Sequence, residues 1–234
     1  MSSPNPYEYE VPVDELIRRY RVLYSGAVYD VLDGMGLPYQ ALANDLMPVT
    51  VDMVIAGPAF PLKGFSDNVG NEQLRERRIH MFKEMARIGK PLIDVRDCSF
   101  DTQVAHYGEM NAVVGKASGV IGAVVDGGIR DTAFLLREKF PVFSRYRTPV
   151  EAFKRWSYLE WNTTVGLRGA LNAIVPVSPG DFVFGDLDGV VIVPRELTVE
   201  VLVKAEALID TEDNARLDFS TGDPAEVYAR YGKL

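Results

Sequence analysis

Apolar positions along this chain recur with two different periods. Near the N-terminus the spacing is helical. Leu16, Ile17, Tyr20, Leu23 and Tyr24 predict a helix over ELIRRYRVL, opened by Asp14. GAVYDVLDGMG predicts a second, opened by Ser25 and stopped by Gly34 and Gly36. MVIAGPAFPL (53–62) then reads as a strand closed by prolines, followed by helical period in EQLRERRIHMFKEMARIG (72–89). PLIDVRD (91–97) and FPVFSRY (140–146) are strand-like, and HYGEMNAVVGKASG (106–119) carries a small-residue helix. AIVPVSPGDFVFGDLDGVVIVP (173–194) breaks into short strands at tight Gly/Asp turns. RELTVEVLVKAEALIDTEDNAR (195–216) is a long helix, and GDPAEVYARYGKL (222–234) holds a last short one. Three stretches keep neither period: a proline-marked arm at 1–12, the polar loop GFSDNVGNEQ (64–73), and the aromatic segment 148–171. No repeat or linker interrupts the series. The expectation is one domain over 1–234, an α/β fold flanked by N-terminal helices and a C-terminal helical extension at 195–234.

One stretch stands apart, VIGAVVDGGIRD (120–131). Six apolar or small residues run into Asp126, Gly127 and Gly128, which reads as a buried strand that stops at the glycine pair. Arg130 and Asp131 then lie just past its C-terminal end, where open α/β sheets bind ligands. Two readings are open. The pair holds an anion and a cation, or Asp131 caps the next helix and Arg130 is solvated.

Composition narrows the function classes. The 234 residues carry a formal net charge of −8, which argues against a nucleic-acid partner. Cys98 is the only cysteine, so an internal disulfide and a thiolate zinc cluster are excluded. No apolar run approaches the roughly 18 residues that a membrane span needs, and the acidic MSSPNPYEYE has no signal-like core. A cytoplasmic location is expected. Asp30 and Asp33 read as solvated helix residues rather than paired acids. The basic residues of 72–89 could meet an anion, but Glu72, Glu76 and Glu84 between them favour a solvated face, and His80 reads as a surface residue.

Several pieces together resemble the RraA-like family, which includes the 4-hydroxy-4-methyl-2-oxoglutarate aldolases. Gly108-Glu109 precedes Arg130-Asp131, with the twenty residues 110–129 between them. Gly119 to Asp131 is similar to the family's strand motif, residues 177–194 to its second signature, and YSGAVYDVLDGMG (24–36) to its N-terminal helix. The resemblance spans about residues 12–217.

That resemblance implies a compact swivelling β/β/α sandwich, assembled as a trimer or a dimer of trimers with sites between subunits. It implies a class II pyruvate aldolase that uses Mg²⁺ or Mn²⁺ on a 2-oxo acid, with oxaloacetate decarboxylation as a side activity. Arg130 would hold the substrate and polarise its 2-keto oxygen. Asp131 would ligate the metal, and Glu109 would hold it through water. Gly108 and the backbone N–H groups of Met110 and Asn111 would take the substrate carboxylate at a helix start. A glutamate of a neighbouring subunit, Glu212 or else Glu206, would complete the water shell. Removal of the C4 hydroxyl proton falls to a metal-bound water relayed by Glu109. Lys116 reads as solvated, so no Schiff base is implied. His106 is either an acid/base or a packed residue at a strand end. The stretches 64–80 and 156–161 have no clear family counterpart and could shape a pocket for a larger acid. The same family includes an endoribonuclease inhibitor and proteins labelled menaquinone methyltransferases. A glycine-rich nucleotide loop, which the latter activity needs, is missing from the sequence. A protein-binding regulator and a sugar-acid lyase or dehydratase remain the alternatives.

Overall fold

The computed structural model describes residues 5–67 and 70–232. In chain order, α1 (Val13–Tyr20) and α2 (Ser25–Gly34) lead to β1 (Met47–Pro48) and the long β2 (Ile55–Phe65). Next come α3 (Asn71–Ile88), β3 (Leu92–Asp97), β4 (Ala105–Tyr107), α4 (Glu109–Ala117) and β5 (Val120–Ile129). They are followed by α5 (Thr132–Arg137), β6 (Val142–Arg147), β7 (Ser157–Trp161), and the hairpin of β8 (Val165–Arg168) with β9 (Ile174–Val177). β10 (Phe182–Asp186), β11 (Gly189–Val193), α6 (Thr198–Thr221) and α7 (Pro224–Tyr231) complete the order.

The main sheet runs β1-β6-β5-β3-β2-β10-β11, with β4 added to β5 and β7 to β2. Its centre, β2, β3, β5 and β6, is parallel and nearly continuously buried, as strands covered on both faces must be. Ala41, just before β1, bridges to Val191 of β11, so the sheet curls until its two ends approach. The curl encloses one core of Ile55, Val95, Val124, Phe143, Val183 and Ile192, capped by the β8–β9 hairpin. α3, α4 and α5 cover a second core around Phe60, Leu62, Val125 and Ile129. α1, α2 and α6 form the third on β10 and β11, where Tyr20 packs 4.4 Å from the Phe182 ring. The expected α/β sandwich with flanking helices is therefore present, with its sheet nearly closed.

Some local expectations are corrected. β5 does not stop at the glycine pair but runs to Ile129. Gly127 and Gly128 are spacers rather than breakers: a Cβ on either would collide with His106, Cys98 or Tyr146. α1 begins at Val13, with Asp14 inside its first turn. Ser25 does not cap α2. Its N–H and Oγ both donate to Asp186 of β10, at 2.7 and 2.6 Å. The polar loop 64–73 is shorter than expected, because β2 extends through Phe65 and α3 begins at Asn71; positions 68–69 lie outside the described residues. The aromatic segment contains β7 and β8. The arm is irregular but docked over residues 5–12, with Tyr7 buried; positions 1–4 lie outside the described residues.

Candidate active site

The site begins with how β5 ends. Ile129 is buried, and the Arg130 N–H donates to the Tyr107 carbonyl of β4 at 3.0 Å. Asp131 then adopts φ 56°, ψ 32°, a left-handed conformation that aspartate tolerates better than most residues. Its carbonyl accepts from Phe134 N at 2.9 Å, which starts α5. Its side chain makes no cap to that helix. Oδ2 instead turns back, accepting from Glu109 N at 3.2 Å and lying 3.6 Å from Arg130 Nε. The twenty residues between the two motifs thus fold away as α4 and β5, and the two ends meet. Gly108 makes the meeting possible, since a Cβ there would sit 2.6 Å from Asp131 Oδ2.

Arg130 and Asp131 open onto a cavity of about 170 Å³. Gly108, Met110 and Asn111 line it, and so does His106. The Asn111 N–H already donates to the Gly108 carbonyl at 3.0 Å. Glu109 is half-buried at the start of α4, and its side chain is not part of the cavity lining.

His106 is packed, with no exposed side-chain surface. Gly128 N–H donates to its Nδ1 at 3.1 Å, so the ring proton sits on Nε2. Burial, helped by the nearby Arg96 and opposed by Asp101, lowers its pKa to about 4. The ring is neutral at physiological pH.

Several lining residues were not singled out individually in the sequence. Arg78 and Leu74 come from α3, Glu151 from the turn after β6, Trp156 from just before β7 and Tyr158 from β7 itself. The expectation that 64–80 and 156–161 shape a pocket is met. The expectation of a wholly solvated basic face on α3 is not: Arg78 faces the cavity, and Arg77 donates to Ser157 Oγ and the Tyr158 carbonyl. Beneath them lies an arginine read only as part of a strand. Arg96 is fully buried. It holds both Asp94 oxygens, at 3.0 and 2.7 Å, and donates to the His106 carbonyl at 2.5 Å and to Tyr158 Oη at 3.0 Å. Its guanidinium lies 4.5 Å from the Tyr107 ring centroid. Asp94 and Arg96 are two apart on one strand and so share a face, the signal that could have exposed the pair.

Neither Glu212 nor Glu206 lines the cavity of its own chain. Glu212 accepts from Tyr24 and Arg216, and Glu206 is paired with Arg19 across to α1. Lys116 pairs with Glu138 at the surface, and Asp30, Asp33 and His80 are exposed. Among the described residues no three His, Cys, Asp or Glu side chains gather as a metal cluster. The donors on offer at the mouth are hard oxygens, those of Asp131, which Glu109 meets through its backbone N–H. That set suits a cation which keeps most of its water.

Comparisons with known proteins identify the family of the chain. The RraA-like family model, Aldolase/RraA, matches residues 26–192, and the chain belongs to that family. It is 29% identical over 203 residues to a Halalkalibacterium halodurans protein named as a candidate 4-hydroxy-4-methyl-2-oxoglutarate aldolase, covering 86% of this chain and 87% of that one. A crystal structure described among novel cellulases from gut-associated microbes is 32% identical, with a TM-score of 0.81 over 92% of this chain and 91% of that chain. Streptomyces coelicolor RraAS2, described as an unusual member of an RNase inhibitor family, shares the fold. Its TM-score is 0.72 at 22% identity, over 89% of this chain and 99% of that one. Among the described residues, no helix is long and apolar enough to cross a membrane.

Proposed function

We propose that this chain is a lyase that splits a 4-hydroxy-2-oxo acid into pyruvate and a carbonyl fragment, with Mg²⁺ or Mn²⁺ as cofactor. The observation that carries the proposal is the loosely held Arg130–Asp131 pair at the mouth of a cavity. Arg130 touches carboxylates only at 3.4 and 3.6 Å, and 37% of its side chain is exposed. Both groups are available to a ligand. The name of the H. halodurans relative supports the same reaction class.

The reaction builds negative charge on the C2 oxygen as the pyruvate enolate forms. Arg130 supplies a fixed positive charge there and can hold the neighbouring carboxylate. A bound divalent cation supplies a Lewis acid. Asp131 would hold it directly and Glu109 through water. The Met110 N–H at the start of α4 offers the carboxylate a further donor. Trp156 and Tyr158, both buried, keep bulk water from the inner wall. Oxaloacetate gives the same enolate on losing CO₂, so it is a second substrate of this reading.

A homo-oligomer, trimer or dimer of trimers, belongs to the proposal, with Glu212 or Glu206 of a neighbouring copy at the mouth. Sedimentation as a monomer would remove that part. The central test is pyruvate release coupled to lactate dehydrogenase, on oxaloacetate and a panel of 4-hydroxy-2-oxo acids, with Mg²⁺ or Mn²⁺ and then EDTA. Turnover abolished by EDTA is expected. A folded protein that releases no pyruvate from any of them overturns the reading.

A further inference from the structure

Cleavage of a 4-hydroxy-2-oxo acid needs a base for the C4 hydroxyl proton. The residue order points to Glu109, next to the metal-binding position. The geometry points elsewhere. The Glu109 side chain is not part of the cavity lining, whereas Glu151 is, together with Arg130 and Asp131. The Glu151 backbone is fastened to β4: Ala105 N–H donates to the Val150 carbonyl at 2.8 Å, and Ala105 and Glu151 form an isolated parallel bridge. Its side chain is free by contrast, 54% exposed, with one oxygen 3.4 Å from Arg130 Nη2. That contact is long for a charge-assisted hydrogen bond, so a substrate carboxylate can displace it cheaply. Substrate held by Arg130 then lies beside a carboxylate on a fixed stem. His106, which also lines the cavity, has its Nδ1 engaged by Gly128 and its side chain fully buried.

We infer that Glu151 is the proton-transfer residue of the lyase reaction, an inference that rests on the lyase reading of the Arg130–Asp131 cavity. Its carboxylate takes the C4 hydroxyl proton. The O–H electron pair forms the C4 carbonyl as the C3–C4 bond breaks. That bonding pair moves into the C2–C3 double bond, and the charge settles on the C2 oxygen near Arg130. Glu151 returns its proton to solvent, and the enolate takes a proton at C3 from water, giving pyruvate.

Oxaloacetate makes the test selective. Its decarboxylation needs the enolate stabilised but has no hydroxyl proton to remove. In Glu151→Gln, which keeps an oxygen facing Arg130, kcat for retro-aldol cleavage should fall on the order of 10²-fold or more. Decarboxylation should stay within a few-fold. Glu151→Asp should recover part of the rate. Retro-aldol turnover that survives in Glu151→Gln overturns the inference while the lyase reading stands. Equal loss of both reactions also overturns it, showing that Glu151 acts only by placing Arg130. Wild-type protein inert in both assays overturns the lyase reading and the inference with it.

Discussion

The floor and the mouth of the cavity each hold an arginine among carboxylates, and they are built in opposite ways. At the floor, Arg96 is fully buried, bonded to both oxygens of Asp94, and stacked on Tyr107. At the mouth, Arg130 is partly exposed and meets Asp131 and Glu151 only at arm's length. A guanidinium whose donors are all engaged has nothing left for a ligand, and removing its partner leaves a stranded charge. One with loose contacts contributes little to stability and is ready to exchange them. The floor holds Tyr158 and Asn111 in place so that the mouth can react.

This contrast can be broken experimentally, most drastically at Asp131. Because residue 131 has φ 56°, asparagine keeps the backbone that alanine would strain. Asp131→Asn should abolish EDTA-sensitive turnover while leaving the thermal melt nearly unchanged. At the floor the effects should reverse. Asp94→Ala should cost about 3–5 kcal/mol in urea unfolding, as expected for an orphaned buried charge. Arg130→Ala should lower kcat/KM on the order of 10²-fold, the scale for a charge aimed at a developing oxyanion. Near-normal turnover there would place the site elsewhere.

A milder test is pH. The folded His106 pKa, about 4, lies below its ordinary value of 6.5, so the unfolded chain binds the extra proton. The stability it contributes is full above pH 6.5 and is lost as pH falls toward 4. Melting temperatures across that window should drop in the wild type and drop less in His106→Gln. The smallest effect is expected at Arg78. Its loss should raise KM a few-fold for a substrate with a second carboxylate and leave one without it unchanged. Equal effects on both substrates would remove Arg78 from recognition.

Much of the mouth was legible because its residues are close in sequence or carried by motif. Arg130 and Asp131 follow a long apolar run, and Gly108-Glu109 lies one helix and one strand upstream. The glycine pair at 127–128 misled, because a glycine that ends a strand and one that admits a neighbouring ring look the same in one dimension. The walls were legible only as the stretches 64–80 and 156–161, not as individual side chains, and Glu151 lay outside both. Arg78, Trp156 and Tyr158 reach the cavity only through the pairing of β7 with β2 and the packing of α3 on β7, and Glu151 through its bridge to Ala105 of β4. Those contacts join positions dozens of residues apart, eighty in the case of Arg77 and Ser157. No periodicity records them. Arg96 was hidden for another reason: a buried charge obeys no hydropathy pattern, and only its spacing from Asp94 marks it.

The docked arm has a consequence of its own. Tyr7 Oη donates to Asn162 Oδ1 at 2.5 Å, just past β7. Asn162 Nδ2 and the Trp161 indole both donate to Glu84 of α3, at 2.8 Å each. One tyrosine thus latches the hinge between the two elements that wall the cavity. A protease that clipped the chain between Tyr7 and Tyr9 would leave every proposed catalytic group in place. It would still free β7 to exchange its amide protons faster, and fusion partners attached at this end would pull on the latch.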